Sequence, residues 1–172
     1  MPDSNQPARE YSCVLLKPDA VKKDVALHVL ARLQHAVNDG MIRATRIWNL
    51  TPEMVADHYQ HLKDKPYYPM IEKFMLSGPV WTAVIEGQAG TIAQIRDELG
   101  ATDPRQAKEG TIRAQFGEVL EGENIQNIAH ASDSIKSARI EIQRFFTRDE
   151  IENAMPELVH EIFEDTRFDV KG

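Results

Sequence analysis

Strand-like and helix-like runs alternate along this 172-residue chain, and none outlasts a single element. Tyr11 to Leu16 reads as a short strand buried on both faces; Lys17-Pro18-Asp19 ends it, since proline cannot donate to a ladder. Val21, Val25, Val29, Leu33 and Val37 then recur at helical spacing as far as Asp39-Gly40. Met41 to Leu50 is expected to be a strand, with Ile42, Ala44, Trp48 and Leu50 on one side and Arg46 out of pattern. Thr51-Pro52-Glu53 starts a helix through a hydroxyl cap and a proline in the first turn, and a second helix covers Tyr67 to Leu76. Val80 to Ile85 is the clearest strand, and Ala89, Ile92, Ile95 and Leu99 mark the helix after it, closed by Gly100. Ala101 to Gly122 is broken by turn residues, and loops of that length inside a domain are usually functional. A short strand near His130 precedes a helix carrying Ile135, Ala138, Ile142 and Phe145. Thr147-Arg-Asp-Glu150 is a capping box opening a final helix with Ile151, Met155, Leu158 and Ile162 on one face. This order predicts one α/β domain: a β-α-β-β-α-β core, sheet on one side and helices on the other, with extra helices.

Several function classes are excluded early. No apolar run approaches the length of a membrane helix, and the polar opening Met1-Pro-Asp-Ser-Asn-Gln-Pro-Ala lacks a secretory hydrophobic region. Residues 1–10 are expected to form a flexible arm. One cysteine, Cys13, allows no disulfide framework and fits a reducing cytoplasmic compartment. The net charge of −7 makes nucleic acid an unlikely partner. A bound polyanion would therefore need positive charge gathered locally.

The chemistry centres on Asn127-Ile-Ala-His130-Ala-Ser-Asp-Ser134. An imidazole directly precedes short hydroxyl and carboxylate side chains of the kind that cap a helix. The open amide end of that helix would favour an anion beside the ring. A neutral imidazole is nucleophilic near pH 7, so the arrangement suits acceptance of a phosphoryl group.

The chain resembles the nucleoside diphosphate kinase family, bacterial type, over about Tyr11 to Ile151. The resemblance is carried by Leu16-Lys-Pro-Asp-Ala-Val21, His58-Tyr59, Lys63-Asp-Lys-Pro66, Ser77-Gly-Pro79, Leu99-Gly-Ala-Thr-Asp-Pro104, Gly110-Thr-Ile-Arg113 and the His130 segment. It implies a ferredoxin-like fold and ping-pong exchange of a terminal phosphate between nucleoside tri- and diphosphates, with His130 as nucleophile. It also implies that Lys17 meets the ribose hydroxyl and a phosphate oxygen, braced by Tyr59. His58, Arg96, Thr102 and Arg113 would hold phosphates, and Asn127 would reach the ribose. Tyr67 and Ile71 would form one wall of a slot in which the base stacks, which tolerates any base. Glu141 would orient the second ring nitrogen of His130, and Ser132 would support the site. Mg²⁺ is expected on the nucleotide phosphates, and a homo-hexamer or tetramer is implied.

Four departures from the family pattern stand out. Ala131 follows the histidine where the family has glycine, a strain if that position needs an unusual backbone angle. Four extra residues fall within Gly117 to Gln126, leaving the other wall of the slot to Val119 or Leu120 and making Asn124 a rival to Asn127, although spacing favours Asn127. Lys22-Lys-Asp stands where a glycine is usual. The chain runs on past Ile151, so 11–152 is read as the kinase domain and 153–172 as a helical tail packed on it or on a neighbouring subunit. Ala131 and the insertion also leave room for a nucleotide-binding regulator with little or no turnover.

Overall fold

The computed structural model describes residues 8–122 and 124–164. Strand β1 (Arg9–Leu16) is buried along most of its length and is followed by α1 (Pro18–Lys22) and α2 (Ala26–Ala36). Then come β2 (Met41–Trp48), α3 (Pro52–His58), α4 (Tyr68–Met75), β3 (Val80–Gln88) and α5 (Thr91–Leu99). After them lie α6 (Ile112–Phe116), β4 (Glu118–Leu120), β5 (Asn124–Gln126), β6 (Ala129–Ala131), α7 (Ile135–Phe145), α8 (Arg148–Ala154) and α9 (Val159–Phe163). Four strands form one sheet in the order β2-β3-β1-β6, every neighbouring pair antiparallel. This is the expected ferredoxin-like core.

Alternation along β1 feeds two hydrophobic layers. Tyr11, Cys13 and Leu15 pack with Val55, Phe74, Ile142 and Phe145, while Val14 and Leu16 pack with Leu33, Ile95 and Leu99. The expectation of helices on one side therefore holds for the crossover helices α2 and α5 alone. Because β1 and β3 carry apolar residues on both faces, both need cover, and the additional helices supply it on the other face.

Three further expectations change in detail. The apolar run from Val21 to Val37 is two helices, with Asp24 at φ +58° between them. That left-handed conformation explains why glycine is usual here, and aspartate is among the few residues that tolerate it. In β2 the register shifts between Ile42 and Ala44, so Arg43 is an extra residue and Ile42 faces the α2–α5 layer while Ala44 and Trp48 face the other. Arg46 stays on the Trp48 side, its guanidinium 4.1 Å from the ring centroid and paired with Glu150. The final helix is likewise two, because Pro156 disfavours helical backbone at Met155.

At the ends, β1 starts at Arg9, inside the stretch expected to be an arm; residues 1–7 of that stretch lie outside the described residues. Residues 153–164 lie on their own domain. Ile162 is buried in the core, and Tyr11 Oη donates to Glu161 at 2.8 Å. Residues 165–172 of the expected tail are outside the described residues.

Candidate active site

β6 is three residues long and pairs His130 with Leu15. Alternation sends Ala129 and Ala131 into the α2–α5 layer and leaves His130 facing α3 and α7. Its Nε2 lies 2.6 Å from Oε1 of Glu141, one residue past the middle of α7, whose apolar face fixes its roll. The second carboxylate oxygen accepts from Ser132 Oγ at 2.6 Å, and Ser132 Oγ in turn accepts the backbone N–H of Cys13 at 3.1 Å. A carboxylate can only accept, so the bonded Nε2 carries the proton and Nδ1 keeps its lone pair. Among the described residues Nδ1 has no hydrogen-bond partner, and the side chain is 32% exposed. It opens into a cavity of about 580 Å³.

Cations converge on the same cavity. The Lys17 ammonium donates to Asn127 Oδ1 at 2.7 Å, and Asn127 Nδ2 donates to the Thr102 carbonyl at 2.8 Å. Arg113 is held by the carbonyls of Gly100 (2.9 Å), Ala129 (2.7 Å) and Asn127 (3.3 Å), with no carboxylate among them. Burial, then the neighbouring Arg113, lowers the Lys17 pKa to about 8; burial, then Arg96, lowers that of Arg113 to about 10. Cations destabilised in this way gain when an anion arrives. Arg96 lines the cavity, and among the described residues its guanidinium makes no hydrogen bond.

The turn that sets these groups side by side is strained. Ile128 adopts φ +72°, costly for a β-branched residue. Its N–H donates to buried Asp19 (2.9 Å), and its carbonyl accepts from the Lys17 N–H (2.8 Å). Asn127 and His130 flank this clamped residue. Ala131, by contrast, has no positive φ and pairs with Val14 as ordinary strand, so the expected strain sits three residues earlier.

Other expectations are corrected. His58 is in the cavity, but burial first, then His130, Arg144 and other cations, push its pKa down to about 2. It is neutral, so it can meet a phosphate as an N–H donor but adds no positive charge. Tyr59 lines the cavity, yet its hydroxyl donates to Met75 Sδ at 3.7 Å, whereas the Lys17 ammonium goes to Asn127. The α7 N-terminus is no open anion site, because Ser134 Oγ accepts the Ser137 N–H and the Asp133 carboxylate accepts the Ser137 hydroxyl. Tyr67 and Ile71 do line an adjoining apolar cavity, with Ile125 and Asn124 among its other lining residues rather than Val119 or Leu120. The extra residues form the β4–β5 hairpin that provides this lining. Asn127 borders both cavities and Asn124 only the apolar one. Ile125 and Arg144 were missed by sequence reasoning; Arg144 lines the main cavity three residues after Glu141, so an i, i+3 argument on α7 could have found it.

Donor atoms of His58, His130 and Glu141 lie within 4.8 Å of one another. A metal ion there would break the His130–Glu141 bond and face the Arg144 guanidinium, so this cluster fits a proton better than a cation. The cavity carboxylates are engaged: Glu141 by His130 and Ser132, Asp57 by Arg144, and Asp133 by Ser134 and Ser137.

A half-buried imidazole with one free ring nitrogen, beside Lys17, Arg96 and Arg113, which no carboxylate pairs among the described residues, is an arrangement suited to phosphate. The nucleoside diphosphate kinase family model matches residues 10–151. This chain belongs to the nucleoside diphosphate kinase family. It is 40% identical over 142 residues to the nucleoside diphosphate kinase of Campylobacter jejuni subsp. jejuni strain 81-176, covering 83% of this chain and 98% of that protein. It is 40% identical over 132 residues to the Streptococcus thermophilus CNRZ 1066 enzyme, covering 77% and 94%. Among solved structures, the Aquifex aeolicus nucleoside diphosphate kinase superposes with TM-score 0.73 at 34% identity, over 83% of this chain and 99% of that one. The Halobacterium salinarum nucleoside diphosphate kinase in complex with CDP gives 0.74 at 31%, over 82% and 90%. The protein is thus a phosphotransferase acting between nucleotides, a reaction that generally uses a divalent metal. Among the described residues no helix is long and apolar enough to cross a membrane.

Proposed function

We propose that His130 carries the phosphate between nucleotides. The observation behind this reading is the His130 ring held through Nε2 by Glu141, with Nδ1 left to the cationic cavity. The Nδ1 lone pair attacks the terminal phosphorus, the bond from that phosphorus to the bridging oxygen breaks, and the nucleoside diphosphate leaves with the bond's electrons. The Nε2 proton stays in place, and the positive charge gained by the ring is balanced by Glu141, so no separate base is needed. A second nucleoside diphosphate takes the phosphoryl group by the reverse step. Because such transfers pass through a loose transition state, the chain's main work is positioning and charge. Lys17, Arg96, Arg113 and Thr102 serve the phosphates, Asn127 the ribose together with Lys17, and Tyr67, Ile71 and Ile125 the base.

Among the described residues the cavity carboxylates are engaged by side-chain partners, which supports Mg²⁺ arriving with the nucleotide phosphates. Bound there, it would neutralise charge on the phosphates. Assembly as a homo-hexamer or tetramer accords with exposed Met41 and Ile47 on edge strand β2, and a cytoplasmic location with the free, buried Cys13. The regulator reading loses one motive in the ordinary backbone of Ala131.

Incubation with γ-labelled ATP, followed by removal of nucleotide, should leave acid-labile, base-stable label on the chain, released by a nucleoside diphosphate. No label on wild type, or label persisting in His130→Ala, would sink the assignment.

A further inference from the structure

Arg144 is not explained by phosphate holding alone. Its side chain is 15% exposed, Nε pairs with Asp57, and Nη1 lies 3.3 Å from Nδ1 of His58. The His58 ring stands edge-on to that of His130, with centroids 4.7 Å apart and planes at 87°. A guanidinium donates and never accepts, so Nδ1 of His58 must be the acceptor and the ring proton must sit on Nε2. Asp57 on the far side fixes the guanidinium in the orientation that makes this contact.

We propose that Arg144 is a positioning residue for phosphoryl transfer, acting through His58: it locks His58 as a neutral Nε2–H donor beside the ring that receives the phosphate. This rests on His130 being the phosphorylated residue. His58 is faced by His130 from β6, Arg144 and Glu141 from α7, Lys17 from the end of β1, Asp57 on its own helix and His61 from the following turn. Burial keeps the ring neutral foremost, and the surrounding cations add to it. Removing Arg144 frees both tautomers and takes away one of those charges. His58 then protonates at a higher pH than in wild type, and a ring free to change tautomer replaces a fixed donor.

The test is single-turnover phosphorylation of the full chain by ATP across pH 5 to 9, in wild type, Arg144→Leu, Arg144→Lys, His58→Ala and the Arg144→Leu/His58→Ala double variant. Arg144→Leu should slow phosphorylation on the order of tenfold and move its acid limb to higher pH. Arg144→Lys, which keeps a donor, should recover part of the rate. The double variant should be no slower than His58→Ala. An unchanged pH profile in Arg144→Leu, additive losses in the double variant, or a change confined to nucleotide KM would overturn the proposal. Should Arg144→Leu not fold, Asp57→Asn, which loosens the guanidinium without removing it, must show the same acid-limb movement or the proposal fails. Label on wild type with an unmoved profile in the variants defeats this inference alone; no label on wild-type His130 defeats the phosphohistidine reading with it.

Discussion

The two ends of the site are built by different physics. At the end proposed to hold phosphate, directed polar contacts prevail: Lys17 is held by Asn127, Arg113 by backbone carbonyls, and His130 by Glu141, Ser132 and Cys13 in series. At the slot, Tyr67 is 45% exposed and faces a hairpin of two three-residue strands, with apolar contact in place of directed bonds. Phosphoryl transfer needs reacting atoms aligned within tenths of an ångström, whereas holding a base needs only covered area. Hence the strained, clamped turn at Ile128 sits at the first end and the inserted residues at the second.

That contrast can be broken experimentally. Glu141→Gln retains shape but loses the charge that balances the phosphorylated ring and lets the amide present its N–H instead. Phosphorylation should slow on the order of 100-fold with nucleotide KM little changed; a loss in KM alone would mean that Glu141 does not orient His130. Lys17 supplies a pH signature. Its ammonium is the form proposed to hold phosphate, and its pKa stands at about 8 instead of 10.5, so nucleotide affinity should fall as pH rises through that region. The fall should approach tenfold, the worth of one charged hydrogen bond, and should vanish in Lys17→Met. Calorimetric titrations between pH 7 and 10 would show it; a flat profile in wild type removes Lys17 from the phosphate set. At the slot the effect is smallest. Tyr67→Ala should raise KM about five- to tenfold for every nucleoside alike while kcat holds, and Tyr67→Phe should be nearly silent. Unequal losses among bases would show that the slot reads base edges.

Sheet, crossover helices and caps are legible because they depend on local rules. Thr51 accepts the Met54 N–H, and the Thr147–Glu150 capping box forms as its spacing predicts. Helix breaks were harder. At Asp24 and Met155 the apolar period runs on unbroken while the backbone leaves the helix, since periodicity records burial and not continuity. The bulge at Arg43 is invisible for a similar reason: alternation alone cannot say which residue is skipped.

From its own residues the chain determined a histidine before a capped helix, a four-stranded core and, for any bound polyanion, the need to gather cations against a net charge of −7. Motif order along the chain added the family. Only the tertiary structure decided that His58 is neutral, that Ile125 is part of the slot lining and that Arg144 stands behind His58, because each depends on neighbours distant in sequence. Burial and charge act through space, and a side chain's chemistry is completed by whatever the fold sets against it.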